Sequence, residues 1–172
     1  MSETSERRAG VLNWLWLSLL VIVADQLSKA LIVSNFELYE VLDVLPVFEI
    51  TRLHNTGAAF SLLSEASGWQ RWFFIGLAAA VSAGIIYWLR HLPREAAPFL
   101  PAALALVLGG ALGNVVDRLW HGYVIDFLHF HWGGAYFPAF NVADSAITVG
   151  AGLLILDAIL EGRRSRAGQG AS

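Results

Sequence analysis

The sequence predicts an all-α membrane protein: a four-transmembrane-helix bundle carrying a small β-rich extramembrane part. Three observations predict it. Of the 172 residues, 56% are hydrophobic and only 15% are charged, with a mean hydropathy of +0.58, whereas about a quarter of a soluble domain is charged. Four separate stretches are apolar over about 20 residues, the length that crosses a hydrocarbon core of about 30 Å. Between them lie two segments rich in β-branched and aromatic residues, which read as strands. The length fits one domain, residues 1–172. A net charge of −3 leaves no general basic patch for nucleic-acid phosphates. The absence of cysteine excludes disulfides, thiolate metal sites and cysteine nucleophiles.

The first span runs over about 12–33 and holds two interior charges, Asp25 and Lys29. It is too long and too charged for a cleavable signal peptide, and no small-residue cleavage site follows it. The second runs over about 70–89, with Arg71 near its start. The third covers about 98–119 and opens on Pro98 and Pro101, where proline costs a helix least. The fourth covers about 142–160. In the segments 34–69 and 120–141, Val47–Leu53 and Tyr123–Phe130 read as short strands. Asp43-Val-Leu-Pro46 and Trp132-Gly-Gly-Ala135 read as turns. The Gly/Ser/Arg-containing C-terminal tail reads as disordered. The seven tryptophans, Trp14, Trp16, Trp69, Trp72, Trp88, Trp120 and Trp132, fall near span ends, where amphipathic rings anchor a helix at the interface.

Orientation follows from the short-loop arginines. Arg7, Arg8, Arg90, Arg94, Arg163, Arg164 and Arg166 mark one side, seven of the eleven basic residues. Lys29, Arg52, Arg71 and Arg118 make up the rest. Both termini, tails 1–11 and 161–172, are therefore expected in the cytoplasm (N-in/C-in), and the β-rich segments outside.

Charges inside spans, or just outside them on the far side, need an explanation. Asp25, Asp117, Asp126 and Asp144 are of that kind, whereas Asp157 and Glu161 are polar tips that reach the interface. Asp25 and Lys29 are four apart on one helix face; they either neutralise each other or support a site, and with Arg118 they would also suit an ion path. Ser28 and Lys29 are adjacent, so they point about 100° apart and do not form a nucleophilic dyad. Asp126 and Asp144 lie beyond the third span and at the start of the fourth, at one depth on one side. Two close carboxylates share a proton, one acting as base toward water while the other polarises a carbonyl. Asn55, Asn114 and Asn141 stand at or near the outer span ends, as donors to a carboxylate or substrate or as helix caps. Gly109 and Gly113 form a small-residue step for close helix packing. His121, His129 and His131 offer zinc-type ligands, but no His-Glu-x-x-His pattern accompanies them, and no metal and no cofactor are expected.

Five ordered blocks stand out: Asp25-Gln-Leu-Ser-Lys29, Asn55-Thr-Gly-Ala-Ala-Phe60, Gly113-Asn-Val-Val-Asp-Arg118, Val124-Ile-Asp-Phe127 and Phe140-Asn-Val-Ala-Asp144. Together with the four spans, over roughly residues 12–160, they resemble the lipoprotein signal peptidase family, the signal peptidase II aspartyl proteases of bacterial membranes. The resemblance implies a catalytic dyad at Asp126 and Asp144. It implies site-lining or supporting roles for Asn55, Gly57, Asn114, Arg118, Asn141, Asp25 and Lys29. It further implies an extramembrane β-cradle at the periplasmic face of the inner membrane. The implied reaction removes signal peptides from diacylglyceryl-modified prolipoproteins, just before the lipid-bearing cysteine. The implied partners are that substrate and membrane lipid, with the enzyme a monomer. The arginine distribution makes a direct prediction: a reporter active only in the periplasm, fused to the C-terminus, stays inactive, and an active fusion would reverse the orientation.

Overall fold

The computed structural model describes residues 12–57, 68–93 and 98–169. The order of elements is α1 (Leu15–Asn35), β1 (Val41–Leu45), β2 (Phe48–Asn55), α2 (Trp69–His91), α3 (Phe99–Trp120), β3 (Val124–Trp132), β4 (Ala135–Tyr136) and α4 (Val142–Gln169). All four helices have the length and composition of membrane spans, that of α4 covering Val142–Arg164. Arg7, Arg8, Arg94 and Ala58-Ala59-Phe60 of the second block lie outside the described residues.

Helix α3 is the centre of the bundle. Ten of its residues are buried, from Pro101 to Asp117, because its small side chains let neighbours come close. A Cβ on Gly109 would lie 2.8 Å from the Ser18 carbonyl oxygen of α1, and one on Gly113 would lie 2.8 Å from Asp25 Oδ2. A Cβ on Gly110 would collide with the Ala143 carbonyl of α4, whose Gly150 in turn faces Ala103 and Val107. Apolar association inside a bilayer depends on such close packing, since lipid tails are as apolar as leucine. Helix α2 packs on α3 through Ile85 and Leu89 against Leu104 and Leu108. The outward faces carry Leu19, Leu27, Leu31, Phe73, Leu77, Val149 and Ile155, all exposed, as expected of helices whose solvent is lipid.

The four strands form one antiparallel sheet in the order β1-β2-β3-β4. The predicted strands are present, each extending two residues beyond its expected C-terminal end, but β1 was read in part as a turn. Asp43 and Leu45 pair with Glu49 and Phe48, leaving only Pro46 and Val47 to turn the chain. Hairpin pairing with β2 overrides the turn signal there. The Gly133-Gly134 turn falls as expected. The tail expectation is corrected: α4 continues as helix through Gln169. Its arginines lie in the last turns, where cations meet the negative end of the helix dipole.

Two features aim the sheet at one end of the bundle. Gly122, at φ +88°, donates its N–H to the Arg118 carbonyl and stops α3 in a left-handed cap. The chain then enters β3, where alternation sends Ile125 and Phe127 into a cluster with Ile32 of α1. After β4, Phe140 pairs with Leu128 through reciprocal hydrogen bonds of 2.8 and 3.0 Å. That pairing delivers Asn141 and the start of α4 beside Asp126.

The glycine contacts predict that Gly110→Val drives α3 from α4 and lowers stability by about 1–3 kcal/mol. Gly152→Ala, with nothing within 4 Å of the new Cβ, leaves it unchanged. Thermal unfolding of the two variants in detergent reads the difference.

Candidate active site

At the end of the bundle under the sheet, polar side chains from three helices and two strands converge. Their anchor is Lys29, only 2% exposed. Its ammonium lies 2.8 Å from Asp25 Oδ2 and 2.8 Å from Asp117 Oδ2, with Asn114 Oδ1 at 3.2 Å. The expected pair of Asp25 and Lys29 is thus a triad with a carboxylate from α3. Each acid has further donors. Asp25 Oδ1 accepts the Ala143 N–H at 2.9 Å, and Asp117 Oδ2 accepts that of Ile125 at 3.1 Å. Gln26 donates to Asp25 Oδ2, Asp117 Oδ1 and the Gly113 carbonyl. Ser28 Oγ instead donates to the Asp25 backbone carbonyl at 2.8 Å, away from Lys29 chemistry.

Asp126 and Asp144 stand one layer further out, joined by asparagines. Asn141 Nδ2 donates to Asp126 Oδ1 at 2.8 Å, while Asn141 Oδ1 accepts the Asp144 N–H at 2.9 Å. The Asn141 N–H approaches Asp144 Oδ2 at 3.3 Å. Asn141 precedes the first helical residue and Asp144 is the third, so the two form a reciprocal capping box at the N-terminus of α4. The alternatives of cap and site donor were both open from sequence, and Asn141 is both. Asn114 Nδ2 donates to Asp144 Oδ1 at 2.8 Å, and Asn55 Nδ2 to Asp126 Oδ2 at 2.9 Å. Asn55 is aimed by Gly57, whose N–H binds Asn55 Oδ1 at 2.8 Å. Gly57 has φ +105°, and a Cβ there would run into the Phe74 ring, so the turn requires glycine.

Asp126 is 3% exposed. Burial pushes its carboxyl up to about 7; the Asn55 amide opposes this, the Asp144 charge adds to it, and Asn141 and Lys29 pull back. Arg118 lies within electrostatic reach of Asp144, Asp126 and Asp117, its guanidinium 4.9 Å over the Phe74 ring. Its Nη1 is 3.4 Å from the Asn114 carbonyl oxygen, while its buried Nε has no hydrogen-bond partner among the described residues. Beside Asp144 opens a cavity of about 540 Å³ lined by Phe137, Phe140, Ser145, Thr148 and Val149.

All the residues singled out from sequence, Asp25, Lys29, Asn55, Gly57, Asn114, Arg118, Asp126, Asn141 and Asp144, therefore meet in one network. The three histidines do not. His121 stacks near Tyr123 with His54 at one end of β3, and His129 and His131 lie toward the other. Burial, Arg52 and His121 lower the pKa of His54. Sequence reasoning missed Gln26, although a glutamine inside an apolar run was a usable signal, and it missed Phe74, one aromatic among several with nothing to distinguish it.

Comparison with known proteins identifies the family. The family model described as Signal peptidase (SPase) II matches residues 17–160. The lipoprotein signal peptidase of Shewanella woodyi is 57% identical over 148 residues, covering 86% of this chain and 84% of the relative. That of Shewanella pealeana is 54% identical over 159 residues, covering 92% and 93%, and that of Alteromonas mediterranea 51% over 160, covering 93% and 87%. Two solved bacterial membrane enzyme structures, determined by the in meso method at 2.3 and 1.9 Å, are each 30% identical. They superpose with TM-scores of 0.75 and 0.73, covering 87% and 84% of this chain and 88% and 90% of theirs.

Removing one member of a buried ion pair costs about 3–5 kcal/mol, because the partner charge stays buried. Lys29→Ala is expected to lose that much in denaturant unfolding. Lys29→Met with Asp25→Asn recovers part of it, since Asp117 keeps its Gln26 and Ile125 donors.

Proposed function

This chain belongs to the signal peptidase II family, and we propose that Asp126 and Asp144 are the acid–base pair of its lipoprotein signal peptidase reaction. The substrate is a diacylglyceryl prolipoprotein, and the bond broken is the one before the lipid-modified cysteine. The observation that carries the assignment is the double role of Asn141, which holds Asp126 by its side chain and Asp144 by its cap. A single residue engages both carboxylates, whereas Asp25 and Asp117 are each ion-paired to Lys29.

The proton on the pair resides on Asp126, whose burial disfavours ionisation. Asp144 then takes a proton from water as the oxygen attacks the scissile carbonyl, and Asp126 gives its proton to the carbonyl oxygen. The resulting diol collapses as Asp144 passes its proton to the departing amine. Asp126 recovers a proton from the diol hydroxyl, so both groups return to their starting states. Arg118 offsets the mutual repulsion of the two acids, and Asn55 and Asn114 hold each at a fixed oxygen. Asp25 and Lys29 act through Asn114 and the start of α4 rather than on the substrate.

The remaining assignments rest on the same frame. The arginine asymmetry supports cytoplasmic termini, a periplasmic sheet and an active site at the periplasmic face of the inner membrane. A substrate anchored by its acyl chains then presents its cleavage site at the depth of the pair. The cavity beside Asp144 would receive apolar substrate groups. On this reading the enzyme acts as a monomer folded as one domain.

The test is cleavage of a diacylated lipobox peptide by purified enzyme. Asp126→Asn and Asp144→Asn each lose on the order of 100-fold or more in kcat; near-normal cleavage by either ends the assignment. Because Asp126 works protonated, kcat/KM falls as pH rises past about 7. The Asn55 hydrogen bond favours the ionised form, so Asn55→Ala moves that alkaline limb to higher pH while lowering the rate.

A further inference from the structure

Further along β3 from Asp126, three strands bring four ligand-type side chains into one cluster. Asp43 on β1 pairs with Glu49 on β2, and Glu49 with His129 on β3. His131 shares the face of His129, since side chains two apart on a strand point the same way. Its N–H donates to the Val47 carbonyl at 3.0 Å, which fixes this end of β3 against the β1–β2 turn. One donor atom from each of Asp43, Glu49 and His131 falls within 4.8 Å of the others. The reaction at Asp126 and Asp144 makes no use of them. We propose that these three residues bind a divalent metal ion of the zinc class, through the two carboxylates and His131 Nε2.

Two observations besides proximity carry this. His131 Nε2 is a buried atom with no hydrogen-bond partner among the described residues, and buried polar atoms in proteins are generally paired. It faces Glu49 Oε2 at 3.8 Å. That is too long for a hydrogen bond, yet within the span of two ligands each about 2.0–2.2 Å from one ion. The other oxygen of Glu49 is already oriented, with His129 Nδ1 2.7 Å from Oε1. His129 is therefore a positioning residue that holds a ligand carboxylate, as outer-shell partners of metal sites do. The Tyr136 ring lies beside both imidazoles, 5.2 Å from His129 and 5.6 Å from His131 between centroids.

The donor set selects the metal. One imidazole nitrogen with two carboxylates suits zinc and its neighbours, whereas calcium takes six to eight oxygens and magnesium keeps most of its waters. Three protein ligands leave a fourth position for water. The ion would tie β1, β2 and β3 together and so stiffen the strand that carries Asp126, without touching the reacting atoms.

The full chain, purified in detergent, freed of metal by chelator and desalted, is titrated with Zn²⁺ and separately with Mg²⁺. The expected result is saturable one-to-one zinc binding by calorimetry and a raised unfolding temperature, with no response to Mg²⁺. His131→Gln and Glu49→Gln abolish both signals, and His129→Gln weakens binding about 10–100-fold. Co²⁺ gives the wild type visible absorption bands of a low-coordinate site, absent from His131→Gln. No saturable zinc binding by the wild type, or equal binding by His131→Gln, overturns the site. Should His131→Gln fail to fold, Asp43→Asn on the exposed outer strand replaces it, and undiminished zinc affinity there overturns the site equally.

Discussion

The architecture depends on a single buried ammonium. Lys29 sits almost wholly out of solvent with a carboxylate on each side, in a bundle whose exterior is lipid-facing. An isolated charge there would be prohibitive, and even a paired one is weak evidence of net stability. Its effect is geometric. Asp25 from α1 and Asp117 from α3 must both reach it, and each spends its remaining lone pairs on a backbone N–H from another element. Asp25 takes Ala143 at the start of α4, and Asp117 takes Ile125 at the start of β3. One cation thereby sets the register of three helices and a strand, because any slip would leave a charge or an N–H unpaired.

That register places the outer layer. Asn114 accepts from Lys29 with its oxygen and donates to Asp144 with its nitrogen, so the amide cannot flip without breaking both bonds. Asn141 is similarly polarised, its oxygen engaged by the cap of α4 and its nitrogen by Asp126. The two layers differ in kind. The inner acids are held by a cation, while the outer pair is held by neutral amides. Amides orient a carboxylate without supplying a full positive charge, so burial prevails at Asp126 and pushes its carboxyl up to about 7. The same side chain thus meets two different environments, ion-paired at Asp25 and Asp117 and amide-bound at Asp126.

Much of this was legible from sequence, for identifiable reasons. The spans were visible because twenty apolar residues in a row have few other uses, and Asp25, Lys29 and Asp117 were conspicuous because a charge within them is costly. The strands around Leu53 and Phe127 announced themselves by β-branched and aromatic content. Less legible was whatever depended on which strands and helices pair. Asp43 lies in a turn pattern, yet the adjacent strand β2 draws it into a sheet. Asn141 offered two readings, cap or donor, and only the fold joined them. Arg118 and Phe74 meet across α3 and α2, a contact that no spacing encodes.

The sequence by itself determined the solvent, the number of helices, the segments that leave the bilayer and the identity of the polar residues that had to meet something. These follow from local composition and from the high free energy of unpaired charge in hydrocarbon. Only the tertiary structure decided what each of them meets: that Lys29 is shared between two helices, that Asn141 links two aspartates, and that His131 lies by Glu49 rather than by His121. Partners far apart in the chain are chosen by close packing of glycine-lined helices and by strand register, and neither is written in any single segment.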